Sequence, residues 1–103
     1  MSKDFENKGD DFRYVFNKPI KIVDGSFMLW TADGKNYPIK VYFKVDDNWQ
    51  LVKQATIQDT NVVHFENENL VTTELRIDTR ESNGGVIRYP TDIKILKYYQ
   101  QNN

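Results

Sequence analysis

The sequence predicts an all-β fold, an antiparallel sandwich of short strands closed around one core. Three observations carry that expectation. Apolar residues recur with a period of two along most of the chain, and no window of a dozen residues shows the helical period. Turn-forming clusters interrupt these runs at short, regular spacing. Fourteen aromatic residues among 103 supply the large rings with which a small β-domain fills its interior. So short a chain has room for one domain. Residues 12–99 are assigned to it, 1–11 to a flexible or edge lead-in, and 100–103 to a tail.

The first strand places Phe12, Tyr14 and Phe16 on one face and Arg13, Val15 and Asn17 on the other. Lys18-Pro19 is expected to end it, because proline cannot donate to a ladder. Ile20 to Thr31 is strand-like again, with Phe27, Met28, Leu29 and Trp30 apolar on both faces, the pattern of a strand in mid-sandwich. Asp24-Gly25 within it reads as a tight turn or a bulge. Ala32 to Asn36 is a loop by its turn chemistry. Ile39, Val41, Phe43 and Val45 then alternate with Lys40, Tyr42 and Lys44, the pattern of a half-buried strand. Asp46-Asp47-Asn48 turns it into a partner running from Trp49 to about Ile57. A short strand follows from Val62 to Glu66, closed by Asn67-Glu68-Asn69. Val71, Thr73, Leu75 and Ile77 alternate with Thr72, Glu74, Arg76 and Asp78. Glu81 to Gly85 is a loop, since paired glycines allow positive φ. Val86-Ile87 and Ile93 to Leu96 supply the last strands, on either side of Pro90.

Charge and composition exclude several classes. Fourteen basic and fifteen acidic residues give a formal charge of −1, which argues against a surface that tracks nucleic-acid phosphates. No stretch approaches the ~20 apolar residues of a membrane span. There is no cysteine, so neither a disulfide framework nor thiolate chemistry is expected. Met1 to Asn7 has no apolar segment of the signal-peptide kind. A cytosolic protein fits, and so does an extracellular or periplasmic domain excised from a longer chain.

Catalytic and metal chemistry find little support in the residues. His64 shares a strand face with Val62 and Glu66. A base held by Glu66 is disfavoured there, because residues i and i+2 lie roughly 7 Å apart along a strand. One histidine without cysteine cannot supply zinc's ligands, and neither Asp46-Asp47-Asn48 nor Glu66 to Asn69 has the spacing of a calcium loop. Gly84-Gly85 lacks the lysine and helix of a phosphate loop. No cofactor and no catalytic residue is expected. The tryptophans are ambiguous: Trp30 and Trp49 beside loops can close the ends of the core or serve as stacking platforms.

The order of elements resembles that of galactose-binding-like (discoidin-like) jelly rolls. Phe12-Arg13-Tyr14-Val15-Phe16-Asn17-Lys18-Pro19 is similar to a strand of that family, and Phe27 to Gly34 to the strand and loop after it. Tyr37-Pro38 opening a strand, Trp49-Gln50-Leu51-Val52, Val63-His64-Phe65-Glu66, Leu70 to Ile77, Ser82 to Ile87 and Asp92-Ile93-Lys94-Ile95 continue the series. The match spans about residues 10–97. It departs in lacking room for a further N-terminal portion and in inserting Arg88-Tyr89-Pro90-Thr91.

Such modules are attached to bacterial glycoside hydrolases. The resemblance therefore implies a jelly roll serving as a non-catalytic carbohydrate-binding or accessory module, its partner a glycan or a neighbouring catalytic domain. If strands alternate in direction, the loops at 31–37, 54–61 and 79–85 share one end. Trp30 would there stack on a sugar while Asp33, Asn36, Arg80 and Asn83 bond its hydroxyls. The alternative expectation is a small intracellular interaction protein, for example an inhibitor carried by a mobile element, supported by the initiating Met-Ser-Lys.

Overall fold

The computed structural model describes residues 11–66, 70–81, 87 and 90–99, with side chains as far as Leu96. Among these the chain forms six strands and no helix. They are β1 (Asp11–Trp30), β2 (Tyr37–Val45), β3 (Asn48–Ile57), β4 (Thr60–Glu66), β5 (Val71–Asp78) and β6 (Thr91–Tyr99). Every pairing is antiparallel, in the order β3-β2-β5-β1-β4, with β6 also on β1.

The two breaks expected in the first thirty residues do not end a strand. β1 runs for 20 residues through both of them. Lys18-Pro19 interrupts the ladder only: Val15 pairs with Glu74 and Ile20 with Thr72, so β1 carries extra residues across the gap. The proline sits where no N–H is asked for. Asp24-Gly25 is not a turn, since Asp24 pairs with Glu66 and Gly25 with Phe65; the bulge alternative fits, because the β6 register shifts between Ile22 and Asp24. Glycine is required there by space. A Cβ on Gly25 would lie 2.3 Å from the Phe65 ring, which covers the bare backbone. Asp11, assigned to the lead-in, opens the strand opposite Asp78.

These irregularities bend β1 so that its two halves serve two half-sheets. The first half pairs with β5 and, through it, with β2 and β3; the second lies between β4 and β6. The sheet curls until the half-sheets face each other. Phe43 of β2 meets Phe65 of β4 edge to face, with centroids 5.8 Å apart, and Phe65 also meets Phe27 at 6.0 Å. All three rings are buried, and each contributes roughly 2–3 kcal/mol of hydrophobic stabilisation. The result is the sandwich-like, antiparallel all-β architecture that the period of two predicts.

Alternation then assigns the faces. Ile39, Val41 and Phe43 point inward from β2, Leu75 and Ile77 from β5, and Val63 and Phe65 from β4. The expectation that residues 27–30 are buried on both faces is corrected. Phe27 and Leu29 are buried, Met28 is partly covered, and Trp30 is 45% exposed on the outside. Ile87 forms an isolated bridge with Thr31 in place of a strand, and Val86 lies outside the described residues.

Candidate functional site

β1 ends at Trp30 and the chain turns through residues 31–36 into β2. This loop is held rather than loose. Thr31 N–H donates to the Asp59 carbonyl (2.9 Å), and Asp59 N–H donates to the Thr31 hydroxyl (2.8 Å). Gln58 Nε2 donates to the Gly34 carbonyl at 2.8 Å. Within the loop the Tyr37 hydroxyl donates to the Asp33 carboxylate, joined by Lys35 N–H at 3.0 Å. The Tyr37 bond, then the Lys35 N–H, holds the Asp33 carboxyl below the ordinary aspartate value. The 31–36 loop and the Gln58-Asp59 corner therefore do share one end of the molecule, where Ile87 also bridges Thr31. Of the third expected loop, 79–85, Arg80 lies on Asp78 of the other half-sheet and 82–85 lie outside the described residues.

The five sequence-selected residues divide on this frame. Asp33 and the exposed Asn36 lie on the loop, one locked by Tyr37. Trp30 belongs with the outward residues of β1, Asp24, Ser26 and Met28, because Gly25, Phe27 and Leu29 point inward. Arg80 lies on the other half-sheet. It grips Asp78 through Nε (2.9 Å) and Nη2 (2.9 Å) and adds its own N–H at 3.0 Å. Burial works to raise the Asp78 carboxyl, but the Arg80 bonds outweigh it and hold the group below its ordinary value. Asp78 pairs with neighbours Lys40 and Asp11 on the outer face opposite to the one that carries Trp30. Asn83 lies outside the described residues.

Two outer faces result. The one on β3-β2-β5-β1 carries a stacked polar network. Arg76 lies 5.2 Å from the Tyr42 and Trp49 centroids alike, and Arg13 (5.6 Å) and Lys44 (5.5 Å) also approach the Trp49 ring. Asp11 binds Arg76 at 2.7 Å and Arg13 at 3.0 Å, and Glu74 binds Lys44 at 3.0 Å. Trp49 therefore closes no core end. It is a half-buried shelf for cations on the outside of the sheet.

The face on β4-β1-β6 is different. Register sets Trp30 opposite Thr60, Met28 opposite Val62, and Ser26 opposite His64. Val62 is 67% exposed. His64 Nε2 lies 2.9 Å from Asp24 Oδ1, so its carboxylate partner comes from the neighbouring strand rather than from Glu66. A serine, a histidine and an aspartate thus meet here. Between Asp24 and Met28, however, β1 is paired on both sides, with β4 and with β6. The Gly25 N–H there is taken by Asp24 Oδ1 at 3.0 Å. What the face offers is a shallow surface of one indole, the aliphatic side chains of Met28, Val62 and Leu96, the hydroxyls of Ser26 and Thr60, and an imidazole–carboxylate pair.

Sequence reading named Trp30 but missed Met28, Val62 and Ser26. The signal available was the alternation at i and i+2 from Trp30, together with the face already assigned to Val62 and His64. Among the described residues no group of three or more His, Cys, Asp and Glu side chains is arranged to hold a metal. No family model matches the chain, and neither the curated proteins nor the solved structures show a significant match to it.

Proposed function

We propose that the domain is a non-catalytic carbohydrate-binding or accessory module with a jelly-roll fold of the galactose-binding-like kind. One observation carries the reading: an indole 45% exposed at the end of a strand, beside a loop pinned by its own hydrogen bonds. An exposed indole held in place offers a flat apolar surface to the C–H face of a pyranose without the entropic cost of ordering it on binding. The ordered motif series and the curled antiparallel sheet support the fold assignment. A single platform suits an affinity near millimolar, about −4 kcal/mol.

Glycan-array screening followed by titration calorimetry tests this. The expected result is binding of a sugar by the intact domain and its loss in Trp30→Ala. Absence of binding to every glycan at millimolar concentration sinks the reading. A second reading, a protein-interaction domain, draws on the exposed Val62 and on Leu96, which is 58% exposed. A partner protein whose binding Val62→Lys abolishes would favour it.

A further inference from the structure

Resting on that reading, we infer that the sugar site is the outer face of β4-β1-β6 and that its ligand is an uncharged, extended glycan chain lying along β1. The resemblance pointed to loop residues, yet the outward residues of β1 set a different geometry. Trp30, Met28 and Val62 form a continuous apolar strip, and Ser26 with the Asp24–His64 pair continues it in the same direction. From Trp30 to Asp24 is six residues of strand, about 20 Å at ~3.3 Å per residue, a length that accommodates several sugar units. An apolar platform followed by a few directed polar groups is what recognition of a hydroxyl-bearing ring requires.

Two further observations select the occupant. Among the described residues this face carries no row of cations: His64 lies against Asp24, Lys94 lies 3.6 Å from Asp92, and Glu66 stands opposite Asp24. A polyanion finds no free cationic row there, and a neutral polyol finds donors and acceptors. The face is also small. Three strands at about 4.8 Å spacing by about 20 Å give about 300 Å², under half of the roughly 800 Å² per partner of a stable protein interface. A slender chain fits that footprint, whereas a second copy does not cover enough surface.

The test uses the whole chain, titrated with neutral mono- to hexasaccharides of the gluco-, xylo- and galacto-series. The expected result is affinity that rises with chain length, about tenfold from monosaccharide to tetrasaccharide. Val62→Lys, at an exposed position that tolerates substitution, is expected to weaken tetrasaccharide binding about tenfold and His64→Ala several-fold. Asn36→Ala is expected to leave it unchanged. Wild-type binding that is lost in Asn36→Ala but intact in Val62→Lys overturns the face assignment and leaves the module reading standing. No binding by the wild type overturns both. Self-association abolished by Val62→Lys, in the absence of sugar binding, would make this face a protein interface and overturn both.

Discussion

The two outer faces of this sheet are built from the same alternation and have opposite chemistry. On β3-β2-β5-β1 Arg13, Lys44 and Arg76 each have both a carboxylate and a ring, and Arg76 has Asp11 at 2.7 Å and two aromatic shelves. On β4-β1-β6 the outward residues include an exposed indole and an exposed valine beside a solvent-facing imidazole–carboxylate pair. The first face pairs most of its charges within the chain, although Val15 and Leu51 are 73% and 46% exposed on it. The second carries Trp30, Val62 and Leu96 exposed on three adjacent strands, the kind of patch a recognition surface presents. Where a tryptophan sits decides what it does: Trp49 is fixed under cations, and Trp30 stands 45% exposed on the other face.

The comparison is open to attack by substitution, beginning where the faces share a strand. Gly25→Ala places a methyl group 2.3 Å from the Phe65 ring. Overpacking of that severity is expected to cost about 3 kcal/mol, read as a lowered urea midpoint. A loss under about 1 kcal/mol would mean that β4 slides aside easily and that the half-sheets are loosely coupled.

Arg76→Ala tests the network face. Its side chain and that of Asp11 are only 11% and 9% exposed, so the arginine leaves a nearly buried carboxylate behind. Arg13 remains to share that charge, which holds the expected cost to about 2 kcal/mol. Trp49→Ala should cost a similar amount, and Trp30→Ala, at a 45% exposed position, less. Equal losses for the two tryptophans would erase the distinction between the faces.

A pH series tests one carboxylate of the loop end, Asp33, and one of the network face, Asp78. Asp33 and Asp78 both titrate below the ordinary aspartate value in the folded state. Their stabilisation is therefore complete above that ordinary value, near 4, and is lost as pH falls through the folded values. The unfolding midpoint should hold between neutral pH and about 5 and then drop, and Asp78→Asn, costing about 1 kcal/mol at neutral pH, should flatten the drop. An acid limb unchanged in Asp78→Asn and Asp33→Asn would assign it to other carboxylates.

The smallest effect belongs to the β2–β3 turn. Asp46 and Asp47 have φ of 50° and 64°, the left-handed pair that two-residue hairpins prefer to fill with glycine at the second position. Asp47→Gly should therefore raise stability by about 0.5 kcal/mol, measurable as a small upward shift in melting temperature. No gain, or a loss, would show that the aspartate contributes more than its backbone conformation costs.

Much of this was legible in local alternation. The inward and outward sets of β2 and β5 follow from Ile39, Val41 and Phe43 and from Leu75 and Ile77, and the exposed setting of His64 follows from its flanking Val63 and Phe65. The continuity of β1 was not legible, because Pro19 and Gly25 are local stop signals that only their partners override. Proline falls in a gap of the β5 ladder, and glycine lies beneath a ring forty residues later in the chain. The candidate face was half legible for the same reason. Trp30 and Val62 carry no mark of neighbourhood until β1 and β4 are aligned. The cation cluster on Trp49 draws on four strands and has no sequence signature.

The length of β1 also governs how the chain reaches its native state. The strand made first needs Asp78 opposite its beginning and Tyr99 opposite its middle before its ladders are complete. The pairings with β5 and β6 thus wait for the later residues, while the β2–β3 hairpin and the β1–β4 ladder need only residues up to Glu66. Folding should accordingly be slow for a chain of this size, in the millisecond-to-second range, and completed only after synthesis of the C-terminal strand. Until then β1 lacks its β5 and β6 partners and an edge stands open, the period in which a chaperone, or a low temperature, would do most to prevent aggregation.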